Sequence, residues 1–212
     1  MYSANAPNKN LIAKKSIIQT IWDFLGLPFR LVLFDQRWLY RCRWTTLEDE
    51  RIRIVLPYIH GYLLDIGAGP NALVRRYGNG LGVDVFDWGN GAIIVEDTSK
   101  LPFPDHTFDT VTIIASLNHI PNRKSVLHEV LRVIKSDGQL IITMIDPVLG
   151  GLGHAIWWYS EDKQRGGMID GEVGGIWTPD LIEMCSEEGF SLHLHRRFVY
   201  GMNNFYLFKL RK

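Results

Sequence analysis

Between Tyr62 and Ile145 the chain alternates unbroken apolar runs with stretches that repeat apolar residues at helical spacing. Tyr62 to Ile66, Leu81 to Val85, Thr110 to Ser116 and Leu140 to Ile145 read as strands, since an unbroken apolar run suits a parallel strand buried on both faces. Ala72 to Tyr77 predicts a helix with Asn71 as N-cap and Gly78 as its stop. Asn122 to Ser136 predicts another. Val126, Leu127, Val130, Leu131 and Ile134 form its apolar stripe, and Ser136-Asp137-Gly138 ends it. Pro179 to Glu188 predicts a further helix, and Phe190 to Phe198 and Asn204 to Leu210 predict two strands joined through Tyr200 to Asn203. Alternating strands and helices give an α/β fold, a doubly wound, Rossmann-like sheet that is mostly parallel with helices on both faces.

The turn after the first strand carries the chemistry. Gly67 and Gly69 lack Cβ atoms, so the backbone can turn sharply and approach a ligand closely. A strand, glycine turn and helix start present free backbone N–H groups at the mouth of the sheet, a nucleotide-shaped site. Asp84 lies 17 residues after Gly67, where a carboxylate can accept both hydroxyls of a ribose. The bland alternatives are a packing glycine turn and a solvated loop Asp.

Five pieces in order then stand out: LLDIGAGP, LGVDV, EDTSKLPFPDHTFDTV, SLNHI and HEVLRVIKSDGQLIIT. Together they resemble the class I S-adenosylmethionine-dependent methyltransferases, in particular the small methyltransferase-domain group, over roughly residues 60–146. The resemblance implies a cofactor, S-adenosyl-L-methionine. It implies that Asp65, Gly67 and Gly69 line its methionine and ribose side and that Asp84, followed by Val85, takes the ribose hydroxyls. Asp97 would accept the adenine amino group, and the Thr98 N–H would serve a ring nitrogen. Ser116 to His119 would form the ledge beneath the transferred methyl. It also implies that the two C-terminal strands form an antiparallel edge. Asn71 departs from the pattern, because many members carry a third glycine there.

Bulk properties narrow the partners. At 212 residues the chain can bury a sizeable core. Its formal net charge is zero, so no global field argues for nucleic acid. Cys42 and Cys185 lack a Cys-x-x-Cys spacing, which excludes a zinc ribbon or disulfide scaffold and suits a cytoplasmic protein. No metal-ligand spacing occurs among the histidines. His193 and His195 alternate in one strand as surface residues. No apolar run spans a bilayer and no signal pattern opens the chain.

Two segments lie outside the cofactor pieces. Residues 1–58 form an N-terminal helical cap or extension, and 59–212 the cofactor-binding domain. In the first, Leu11, Ile18, Ile21, Trp22 and Leu25 share one helical face flanked by Lys14 and Lys15. Arg30, Arg37, Arg41 and Arg43 follow among aromatic residues. This suits a pocket cap, a homodimer contact in a chain otherwise monomeric, or peripheral contact with an anionic membrane face. The second, Asp146 to Trp177, surrounds Trp157-Trp158-Tyr159 with glycines, as a mobile substrate lid would.

Methyl transfer to a hydroxyl wants a general base. His154 and Asp146 are the candidates after the fifth strand, with His119 on the ledge. The acceptor would be a small molecule, or a glycan or lipid-linked intermediate. Arg165 to Met168 and Tyr200 to Asn204 resemble methyltransferases of surface-polysaccharide pathways. Two rivals stand beside this reading. One is a methyltransferase-like scaffold without turnover. The other is a short-chain oxidoreductase using Tyr159 and Lys163, although the Thr-Gly-x-x-x-Gly-x-Gly turn of those enzymes is missing.

Overall fold

The computed structural model describes residues 15–30, 36–155 and 170–211, with the backbone alone for 36–37 and 152–155. Seven strands form one sheet: β1 (Leu63–Ile66), β2 (Gly80–Asp84), β3 (Ile93–Ile94), β4 (Phe108–Ile114), β5 (Ile134–Ile145), β6 (Phe190–Phe198) and β7 (Asn203–Leu210). Their spatial order is β3-β2-β1-β4-β5-β7-β6. The first five run parallel, while β7 lies antiparallel between β5 and β6. That antiparallel insertion differs from the all-parallel 3-2-1-4-5-6 order of dinucleotide-binding sheets.

Side chains on the central strands alternate between two cores, which is why those strands read as unbroken apolar runs. Leu63, Ile141, Phe205 and Leu207 point to one face, where α3 (Leu47–Val55) and α4 (Ala72–Tyr77) supply Ile52, Val55, Leu73 and Val74. Leu64, Ile142, Tyr206 and Phe208 point to the other, covered by α5 (Arg123–Val133) and α7 (Thr178–Glu187) through Val126, Leu127, Val130, Leu181 and Cys185. Burial pushes the Cys185 thiol up to about 12, so it packs as a small apolar group. α3 lies within the segment set apart as an N-terminal cap, yet it is one layer of the sheet's own core. Among the described residues α1 (Ile17–Leu25), α2 (Gln36–Arg41) and α6 (Pro147–Ala155) are further helices.

Some elements differ from the sequence reading. α5 stops at Val133, and Ile134 already pairs with Phe108 as the start of β5. Lys135 to Gly138 then loop out in a bulge before Gln139 pairs with Thr110. The turn residues Ser136-Asp137-Gly138 therefore sit inside β5 rather than ending a helix. Asn71 is no side-chain cap. It holds φ 57° and ψ 30°, with no side-chain hydrogen bond to α4. It occupies the left-handed conformation that a third glycine would supply, and Asn is one of the few residues that tolerates it.

The segment after β5 opens as α6 rather than an irregular loop. Gly150 sits against the backbone of Gly174, and Gly175 against Pro147. A Cβ at either position would collide with backbone, so these glycines permit close packing. Residues 156–169 of the expected lid, with Trp157, Trp158 and Tyr159, lie outside the described residues.

Candidate active site

The carboxyl edge of the parallel strands gathers the residues that the resemblance singles out. Gly67 turns at φ 68°, and a Cβ there would lie 2.6 Å from the Ser116 side chain. Ser116 donates its hydroxyl to the Ile66 carbonyl at 3.0 Å, binding the end of β4 to the end of β1. Gly69 turns at φ 50°, but a Cβ there would meet no atom within 4 Å. The space before Gly69 is open, as a cofactor approaching the backbone requires.

Asp84 ends β2 facing that space. Its Oδ2 accepts the Gly69 N–H at 2.8 Å, and its Oδ1 accepts the Phe86 N–H at 3.0 Å. Each oxygen keeps a second lone pair, so the carboxylate can still accept two hydroxyls side by side. Val85 and Phe86 follow as exposed apolar residues, suited to the flat side of a base.

Asp65 is buried below the same turn, with Oδ1 accepting the Thr112 hydroxyl at 2.6 Å. Burial pushes its carboxyl up to about 7 against the Thr112 hydrogen bond, and the nearby Asp84 charge adds to the rise. A cationic ligand beside the turn would relieve both effects.

Asp97 stands across the mouth. Its oxygens accept the Ser99 N–H at 2.8 Å, the Ser99 hydroxyl at 2.7 Å and the Asn122 side-chain amide at 3.1 Å. The Ser99 backbone N–H, the Ser99 hydroxyl and Asn122 together hold the carboxyl below its usual range. Asp97 stays charged and oriented, as an acceptor for an amino group must. Thr98 beside it is buried. The local pattern marks Asn122 only as the start of a helix and carries no signal of its contact with Asp97.

The ledge after β4 is one turn of 3-10 helix, Leu117–His119. Arg123 fixes it: Nε donates to the Leu117 carbonyl at 3.1 Å, and Nη2 donates to the carbonyls of Asn118 at 3.1 Å and Gly171 at 2.8 Å. Asn118 exchanges hydrogen bonds with Val173, 2.9 Å for the Val173 N–H and 3.2 Å to its carbonyl. The segment 170–173 is thereby strapped to the ledge. Within it, the buried Glu172 carboxylate places Oε2 3.5 Å from His119 Nδ1. Sequence reading missed Arg123 and Glu172 because both act through contacts about 50 residues apart along the chain.

The two proposed bases separate. Asp146 takes the N-terminal turn of α6, accepting the Val148 N–H at 3.1 Å and lying 3.9 Å from Arg197. Oδ1 thus caps α6, while among the described residues Oδ2 has only the long contact with the exposed Arg197. His154 falls in the last turn of α6, and its side chain lies outside the described residues. His195 bonds Asn204 at 3.0 Å and stacks on Tyr206. No group of three metal-ligating side chains occurs among the described residues.

Residues 62–142 match the family described as a methyltransferase domain. A demethylmenaquinone methyltransferase of Thermotoga maritima is 30% identical over 118 residues, which cover 49% of this chain and 52% of that protein. A ubiquinone/menaquinone biosynthesis C-methyltransferase, UbiE, of Stutzerimonas stutzeri is 36% identical over 96 residues, covering 45% of this chain and 36% of that one. The chain therefore spans about half the length, or less, of these curated relatives. Among solved structures, an S-adenosylmethionine-dependent methyltransferase of Thermotoga maritima superposes with a TM-score of 0.61. The match covers 91% of this chain and 99% of that one at 16% identity, a likeness of fold.

Proposed function

We propose that this chain, a class I S-adenosylmethionine-dependent methyltransferase by the domain it carries, transfers a methyl group to a small-molecule or lipid-linked acceptor. The observation that carries the reading is the Asp84 carboxylate, held by Gly69 and Phe86, beside the open space at Gly69. That geometry fits S-adenosyl-L-methionine, with Asp84 and Val85 at the ribose and adenine and Asp97 and Thr98 at the base edge. Asp65, Gly67, Gly69 and Ser116 would lie along the methionine portion. When bound, the cofactor supplies a methyl group on a sulfonium, a leaving group already activated.

The chain's own residues would then position the acceptor and keep water away. His119 and the strap over 170–173 border the methyl side. A hydroxyl acceptor would lose its proton to an imidazole, and His119 and His154 are the two on this edge of the fold. Glu172 beside His119 favours that ring, since a carboxylate at Nδ1 orients an imidazole and stabilises its protonated form. The capping bond that Asp146 Oδ1 accepts from the Val148 N–H favours a structural part for it. The named activities of the two relatives support a quinone-like aromatic acceptor, and the Tyr200 to Asn204 turn keeps a glycan among the classes to test.

The test is transfer of label from methyl-labelled S-adenosyl-L-methionine to a panel of reduced naphthoquinones, phenols, amines, glycans and lipid-linked sugars. Label in one acceptor class supports the reading. A protein that binds the cofactor but labels none of them would be a binding scaffold.

A further inference from the structure

The N-terminal helix α1 is turned inside out. A surface helix buries its apolar stripe and exposes its polar one. In α1 the buried residue is Asp23, while Ile17 is 80%, Ile18 81%, Ile21 56% and Leu25 63% exposed, with Trp22 and Phe24 half exposed. The orientation is fixed from the polar side. Asp23 accepts the Thr45 N–H at 2.9 Å and the Thr45 hydroxyl at 2.7 Å, and it forms an ion pair with Lys15. Arg30, also buried, donates to the Asp23 and Thr45 carbonyls and to Glu50. Burial opposes the charge on Asp23, but Lys15, Thr45 and Arg30 outweigh it and hold the carboxyl below its ordinary range. Rotating the apolar face inward would pull Asp23 away from Lys15, Thr45 and Arg30 and leave the buried Arg30 without this carboxylate.

The rim of this face is cationic and aromatic. Trp22 Nε1 donates to the Cys42 carbonyl and Gln19 to the Arg43 carbonyl, so the 41–43 turn lies along α1. Arg41 and Arg43 are exposed there, as are Trp38 and Tyr40, with the Arg41 guanidinium 5.6 Å above the Trp38 ring. Arg43 holds a left-handed φ of 58°. Apolar side chains ringed by Trp, Tyr and Arg match the interface of an anionic bilayer. A two-fold contact with a second copy would set this cationic rim against itself. No helix among the described residues is long and apolar enough to cross a membrane, so the contact is one of lying on the surface.

We propose that α1 and the 38–43 turn seat the protein on an anionic lipid surface. This goes beyond the methyl-transfer reading and does not rest on it. The seat stands beside the carboxyl edge of the sheet. Tyr200, in the turn between β6 and β7, donates to the Thr20 carbonyl at 2.9 Å and packs edge-on against Phe24. That turn also accepts the Asp146 N–H through Met202. A lipid-borne acceptor would therefore reach the site from the bilayer.

Co-sedimentation of the full chain with sucrose-loaded vesicles tests this. The parent should pellet with phosphatidylglycerol–phosphatidylcholine vesicles at low salt and bind pure phosphatidylcholine at least about tenfold more weakly. Ile18→Asp with Ile21→Asp should lower the partition by more than about tenfold. Arg41→Gln with Arg43→Gln should lower it about thirty-fold, at roughly a factor of five for each charge near the surface. Circular dichroism and cofactor affinity should stay unchanged in both, so a failed methyltransferase reading would not be mistaken for a failed seat. A parent that stays in the supernatant, binding indifferent to lipid charge, or variants that pellet like the parent would each overturn the proposal. A dimer by light scattering that the Ile pair dissolves, without vesicle binding, would assign the face to a second copy and overturn it too.

Discussion

Gly69 donates its backbone N–H to the Asp84 carboxylate across 2.8 Å, tying the turn after β1 to the end of β2. The bond sets the carboxylate against the open side of the turn. It also explains why two glycines in one turn should respond differently to substitution.

Gly67→Ala should be the more destabilising. Its Cβ would meet Ser116 at 2.6 Å in addition to the strained φ. Gly69→Ala meets nothing and costs only the left-handed backbone, roughly 1–2 kcal/mol. Its methyl group would instead enter the open space proposed for the cofactor. Thermal unfolding and calorimetry should therefore show a lower Tm dominating in the first and a weaker S-adenosyl-L-methionine affinity dominating in the second. Equal behaviour of the two would contradict the different surroundings of these glycines.

Asp65 gives a pH signature. Its carboxyl is pushed up to about 7 in the fold from 3.8. Between those values the folded state holds more protons than the unfolded one, so this group's contribution to stability falls as pH rises from about 4 to 7. Asp65→Asn removes that loss. The variant's unfolding free energy relative to the parent should improve by up to about 4 kcal/mol between pH 4 and pH 8, because each tenfold change in proton affinity on folding is worth about 1.4 kcal/mol. Its cofactor affinity should fall at the same time. A difference between variant and parent that ignores pH would contradict the buried, half-protonated carboxyl.

The core was legible because β1, β4 and the 140–145 part of β5 bury both faces, which leaves unbroken apolar runs in the sequence. The turn at Gly67 and Gly69 and the position of Asp84 at the end of β2 were legible in the local pattern, whereas Asp97, three residues beyond β3, was singled out only through the family resemblance. The conformation of Asn71 was not, because Asn serves both as an N-cap and as a substitute for glycine at positive φ, and one sequence does not separate the two. Gly150, Gly174 and Gly175 signalled mobility, yet they allow backbone contact across about 25 residues, a non-local cause. The inverted face of α1 was hidden for a similar reason. Helical spacing marks a stripe but does not say which side faces in, and the partners of Asp23 come from Lys15, Arg30 and Thr45.

The strap on the ledge rests on Arg123. Arg123→Met keeps much of the side chain's bulk but removes the donors to Leu117, Asn118 and Gly171. Hydrogen exchange should rise over 170–175, and methyl transfer, once an acceptor is in hand, should slow by about tenfold or more through loss of positioning. Cofactor affinity should change little, since Asp84 and Asp97 are untouched. Unchanged exchange over 170–175 would show that the strap is held by other contacts.

The proposed methyl transfer would turn on a cofactor site built around Asp84. Isothermal calorimetry with S-adenosyl-L-methionine, S-adenosylhomocysteine and NAD, on the parent and on Asp84→Ala, decides whether that site exists. The parent should bind the first two and not NAD. Asp84→Ala should bind them at least about tenfold more weakly while unfolding at a similar temperature, since hydrogen bonds to a charged group contribute about 1.5–3 kcal/mol each. Undiminished affinity in Asp84→Ala, or tight NAD binding by the parent, would contradict it.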